Sequence, residues 1–126
     1  MVVYALAAVL VYITWSALGP STRTPGGSGA PAEVRVALES RLPVLLEFGA
    51  TWCPPCRQVK PVVHELAQEL KGRAHIVQID VDERPDYSAR NGVSSIPCFI
   101  VLRDGKEVAR QVGAIPKSEM RRMLGL

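Results

Sequence analysis

Two cysteines, Cys53 and Cys56, are separated by two residues in Trp52-Cys53-Pro54-Pro55-Cys56. Cysteines at this spacing can close a small disulfide or share a metal. Their surroundings separate the two chemistries. A short apolar run, 43–49, precedes the pair, and a long helical pattern begins with it. At a helix start the unpaired N–H groups and the positive end of the dipole stabilise a thiolate. This predicts an exposed Cys53 at the cap and a more buried Cys56 one turn inside. The Cys53 thiolate would attack a substrate disulfide, and Cys56 would resolve the mixed disulfide. Pro54 and Pro55 fit a first helical turn, where N–H groups have no partner. They stiffen the loop and remove two donors to the sulfur, leaving the N–H of Cys56. A zinc site needs about four ligands. The other candidates, Cys98, His64 and His75, lack the spacing. The pair therefore reads as redox, with no metal and no dissociable cofactor.

The elements that must hold this pair follow from the hydrophobic pattern. Residues 33–41 read as a short helix and 43–49 as a buried strand. Residues 53–71 are the clearest helix, with Val59, Val62, Val63, Leu66, Ala67 and Leu70 on one stripe. Pro61 inside it predicts a kink, and Gly72 ends it. Residues 74–81 are strand-like, and 85–91 form a short helix or turn closed by Gly92. Strands 97–103 and 107–112 flank Asp104-Gly105, a strong hairpin signal. Residues 116–124 make a final helix. The order is α-β-α-β-α-β-β-α. A strand, helix and strand in succession imply a right-handed parallel unit, and the hairpin adds an antiparallel edge. The expected class is α/β: a mixed sheet with helices on both faces.

The chain has 126 residues, with 15 Lys+Arg against 12 Asp+Glu. A net charge of +3 without a basic run speaks against a nucleic-acid partner. Three cysteines are too few for a disulfide-stapled scaffold. The mean hydropathy of +0.13 is high for a soluble domain, and the excess lies at the N-terminus. Residues 2–18 are almost wholly apolar, and no charge occurs before Arg23. A membrane-spanning helix needs about 17–25 such residues, so 1–18 is read as an anchor. The rival is a cleaved signal peptide, with Ala30-Pro31-Ala32 as a loose cleavage pattern. Residues 19–31, rich in Gly, Pro, Ser and Thr, form a linker. Residues 32–126 form the single domain.

The stretch Phe48-Gly49-Ala50-Thr51-Trp52-Cys53-Pro54-Pro55-Cys56 resembles the active-site segment of the thioredoxin family. The resemblance covers about 95 residues, essentially all of the post-linker chain. Glu47 stands where the family holds a buried acid, and Pro61 matches its helix proline. Asp80-Val81-Asp82 resembles the end of the central strand. Ile96-Pro97 matches the family's cis-proline, which lies across from the CxxC pair and docks substrate backbone. Gly105 and Gly113 match the hairpin glycine and the glycine beside the site. The chain departs from the family in four ways. Pro54-Pro55 replaces the usual Gly-Pro, and Gln78 stands where a Lys is common. Cys98 stands where Thr is common, and the family's first strand is not visible.

The resemblance implies a thioredoxin-like fold and dithiol–disulfide exchange with client proteins. Cys53 is expected as nucleophile, Cys56 as resolving thiol, and Glu47 as proton relay. Leu45, Leu46 and Phe48 around Glu47 argue for burial, which raises a carboxyl pKa. Trp52, Ile96, Pro97 and Gly113 are the expected substrate-binding residues. An upstream thiol donor or acceptor is required, and anchored relatives of this kind often act as extracytoplasmic reductants. That places the domain on the periplasmic or extracellular face. Arg23, read by the positive-inside rule, would favour the cytosolic face instead. Two alternatives belong to other classes. One is a Cu(I) or zinc module using Cys53, Cys56 and Cys98. The other is a redox-inert assembly factor that uses only the docking groove. Cys98 itself reads as a small buried hydrophobe.

Overall fold

A computed structural model describes residues 29–126. The apolar segment 2–18 and the linker as far as residue 28 lie outside the described residues. Among the described residues, no helix is long and apolar enough to cross a membrane.

Eight elements follow in the expected order, each ending within two residues of the sequence reading. They are α1 (Ala32–Glu39), β1 (Val44–Gly49), α2 (Pro54–Glu69), β2 (His75–Asp80), α3 (Pro85–Arg90), β3 (Cys98–Arg103), β4 (Lys106–Val112) and α4 (Lys117–Leu124). The strands form one mixed sheet in the order β2-β1-β3-β4. β1 runs parallel to β2 and antiparallel to β3, and β3 is antiparallel to β4. β1 lies between two neighbours and is covered on both faces, so all six of its residues are buried.

Period-two alternation along β1 decides which side chain meets which helix. Val44, Leu46 and Phe48 join Val34, Ala37, Ile79, Tyr87, Ile100 and Leu102 in the cluster under α1 and α3. The Phe48 and Tyr87 rings stack there at 6.0 Å. Leu45 joins Val59, Val63, Leu66, Phe99, Val101, Met120 and Leu124 under α2 and α4. Leu66 is fully buried, which contributes roughly 1.5–3 kcal/mol. Glu47 shares the α2 face with Leu45, because it follows Leu45 by two positions along the strand.

The β3–β4 turn holds Asp104 at φ 52° and Gly105 at φ 76°. Both central residues in the left-handed region define the hairpin turn that matches strand twist. α2 starts on Cys53 and continues through Pro61 for 16 residues. Pro61 has no N–H, so the Arg57 carbonyl lacks its intrahelical donor. At the other end of the domain, Gly29–Pro31 are docked rather than free. Ala30 is buried in the α1 cluster, and the Arg90 guanidinium donates to the Gly29 carbonyl at 3.0 Å.

Candidate active site

The loop between β1 and α2 carries the cysteine pair. Cys53 is the N-cap of α2, in extended conformation (φ −87°, ψ 113°). Pro54 and Pro55 occupy the first turn, where their missing N–H groups cost nothing. The first available donor is the N–H of Cys56, and it points at Cys53 Sγ at 3.3 Å. This is the arrangement the two prolines predict. The pair is joined as a disulfide with Cα atoms 5.2 Å apart.

Burial corrects one expectation. Cys53 is 4% exposed and Cys56 5% exposed, so the first cysteine is as covered as the second. The cause is tertiary: both cysteines share a cluster with Ala50, and Val81 and Ile96 pack against it. The outward surface at this point belongs to Trp52, Pro54 and Pro55. Trp52 is 65% exposed, and its indole N–H donates to Asp82 Oδ2 at 2.7 Å. Asp82 is itself placed by Asp80, whose Oδ1 accepts from the N–H groups of Asp82 and Glu83.

The Ile96–Pro97 peptide bond is cis. Ile96 packs against the cysteine pair, and the Gly113 N–H donates to the Pro97 carbonyl at 2.8 Å. Ile96 and Trp52 are thus the expected docking residues nearest the pair, one packed on its cluster and one preceding Cys53 in the chain, and Gly113 is tied to Pro97. Among the described residues, no backbone hydrogen bond engages the N–H or carbonyl of Ile96.

Glu47 lies beneath α2. Burial pushes its carboxyl up to about 7 from an ordinary 4.5. The Gln78 amide and the Lys60 charge oppose that rise without cancelling it. Gln78 faces Glu47 across the parallel register and donates from Nε2 to Oε2 at 3.4 Å. A cleft of about 700 Å³ opens here between α2 and the ends of β1 and β2, and Glu47, Gly49, Cys56, Lys60 and Gln78 are among its lining residues.

Cys98 stands apart. It is 1% exposed and packs in the α1 cluster, opposite Phe48. Burial pushes its thiol up. The three-thiolate alternative needs Cys98 beside Cys53 and Cys56, and the fold assigns it to a different cluster. Among the described residues, no three His, Cys, Asp or Glu side chains are grouped to hold a metal ion.

The family model for thioredoxin matches residues 31–125. The chain belongs to the thioredoxin family. Thioredoxin 1 of Synechococcus elongatus is 43% identical over 83 residues, 66% of this chain and 78% of that protein. The thioredoxin of Haemophilus influenzae is 44% identical over 85 residues, 68% and 79% of the two chains. Among solved structures, Fasciola hepatica thioredoxin superposes with a TM-score of 0.67 at 32% identity. It covers 72% of this chain and 86% of that one. A mutant thioredoxin from Halobacterium salinarum gives 0.69 at 30% identity, covering 75% and 81%. The thioredoxin-family domain is therefore a thiol–disulfide oxidoreductase carrying its redox pair at Cys53 and Cys56.

Three residues of this thioredoxin-family site escape a reading of the sequence. Lys60 follows Cys56 by four positions, one helical turn, and that spacing is the signal for it. Gly49 follows Glu47 by two, the repeat of a strand face. Asp82 bears on Trp52 only through the folded loop, and no local pattern points to it.

Proposed function

We propose that the chain is a membrane-tethered reductant of client protein disulfides. Residues 1–18 would anchor it, 19–28 would tether it, and the domain would work on the extracytoplasmic face. The observation that carries the chemistry is Cys53 as the N-cap of α2 with the Cys56 N–H on its sulfur. That donor and the helix dipole favour the Cys53 thiolate once the pair is reduced.

The reduced Cys53 thiolate attacks one sulfur of a client disulfide. A Cys53–client bond forms, and the client's second sulfur leaves as a thiolate. Cys56 then gives its proton to Glu47 and attacks Cys53 Sγ. The Cys53–Cys56 bond forms, and the remaining client sulfur leaves with its electron pair and takes a proton from water. The client gains two electrons and the cysteine pair loses them. An upstream thiol donor restores the dithiol. The client segment docks in extended form on Ile96, whose backbone groups are available to it, with Pro97, Gly113 and Trp52 shaping the groove.

Reduction of insulin driven by dithiothreitol tests this reading. Cys53→Ser should fall to the uncatalysed rate. Cys56→Ser should accumulate mixed disulfides with clients, visible on non-reducing gels. Full activity in Cys53→Ser would overturn the assignment. Labelling of intact cells with a membrane-impermeant thiol reagent should reach Cys53 after reduction, and protection until lysis would put the domain on the cytosolic side.

A further inference from the structure

Gly49 ends β1 and faces the same side as Glu47. A Cβ built on Gly49 would lie 2.8 Å from Glu47 Oε1 and 3.4 Å from both Cβ and Sγ of Cys56. The carboxylate oxygen and the sulfur therefore border the same space beside Gly49, one too small for a Cβ unless Oε1 shifts, next to a backbone without a side chain. Gly49 is not among the glycines at positive φ, so no turn demands glycine there. A strand glycine that conformation does not require marks a close approach.

The gap opens on the cleft between α2 and the ends of β1 and β2. None of Trp52, Ile96, Pro97 and Gly113 lines that cleft. A client seated on those four residues would therefore not rest on the residues that line the cleft beside Glu47 and Cys56.

We propose that Gly49 is a positioning residue for proton transfer, keeping open the path between Cys56 Sγ, the Glu47 carboxylate and solvent in the cleft. The inference rests on reading Glu47 as the proton relay. When the mixed disulfide resolves, the Cys56 S–H bond breaks and its proton passes across the gap to a Glu47 oxygen. The sulfur keeps the electron pair and forms the bond to Cys53. Glu47 then returns the proton to water in the cleft, and the client thiolate leaves. A methyl group at position 49 would displace Glu47 Oε1 and fill the space the proton crosses.

The test uses the full chain in detergent, reduced beforehand, in a single turnover with insulin across pH 5.5–9. Wild type should show an inflection near pH 7, and Gly49→Ala should lose or displace it. The neutral-pH rate should fall at least ~10-fold in Gly49→Ala, part of the roughly 10²–10⁴-fold that general acid–base catalysis contributes. The double variant with Glu47→Gln should be no slower than Glu47→Gln alone. If Glu47→Gln changes the profile and Gly49→Ala does not, the gap plays no part and the relay stands. If Glu47→Gln leaves the profile unchanged, the relay itself fails. Carboxyl NMR of wild-type Glu47 covers the case in which Gly49→Ala does not fold. Its titration should differ between the oxidised and reduced pair, and identical titrations would overturn the proposal.

Discussion

Glu47 is the residue whose chemistry and stability pull in opposite directions. Its folded carboxyl holds a proton up to about pH 7, while the unfolded one loses it near 4.5. The folded state then binds more protons across that window, so stability falls as pH rises from 4.5 to 7 and is level above it. At pH 8 the buried charge costs about 3 kcal/mol. Glu47→Gln should therefore stabilise the oxidised protein by up to that amount at pH 8 and change little at pH 4. Urea unfolding at the two pH values checks it, and equal effects at both would contradict it. Burial of Glu47 was legible from Leu45, Leu46 and Phe48, because an apolar run around an acid has few other places to go. Burial of Cys53 was not legible. It depends on Ile96, which reaches the pair only after β3 has docked beside β1.

At the scale of elements, α2 does two jobs: it caps the redox pair at one end and fills the core at the other. Leu66→Ala removes a fully buried side chain and should cost about 2–5 kcal/mol. It leaves the loop at Cys53 untouched, so insulin reduction at 25 °C should persist while the unfolding midpoint drops. The hairpin offers a second check. Gly105 sits at φ 76°, so Gly105→Val should destabilise by roughly 1–2 kcal/mol, and a neutral result would contradict the turn assignment. The β3–β4 pair was legible because Asp104-Gly105 is a local signal, and the parallel β1–β2 pair because a crossover helix separates the strands. The pairing of β1 with β3 was not. Two buried apolar strands carry no mark of who sits beside whom, and non-local contact decides it. The same limit hid the gap at Gly49, which exists only because α2 lies over the end of β1.

For the whole molecule, the proposed tether would set where the chemistry can happen. Gly29–Pro31 are docked on the domain, which leaves ten residues, 19–28, for the proposed tether, and a Gly/Ser-rich stretch of that length would reach about 17 Å. Clients would have to come close to the bilayer surface. The anchor is tested by charge. Leu10→Arg puts a guanidinium at the middle of the apolar run and costs about 2.5–3.5 kcal/mol for insertion. The wild-type chain should stay with membranes after a carbonate wash, and Leu10→Arg should be partly released. Recovery of the wild-type chain in the wash would sink the anchor.

Cys98 turns the oxidised protein into its own gauge of opening. With Cys53 and Cys56 joined, Cys98 is the free thiol of the chain, and at 1% exposure a maleimide cannot reach it. Labelling under native conditions then proceeds only through molecules that have opened around the β1–β3 core. The labelling rate, set against that of an unfolded chain, reads the opening equilibrium in plain buffer. Any variant of the site can be compared on that scale by counting adducts in a mass spectrum.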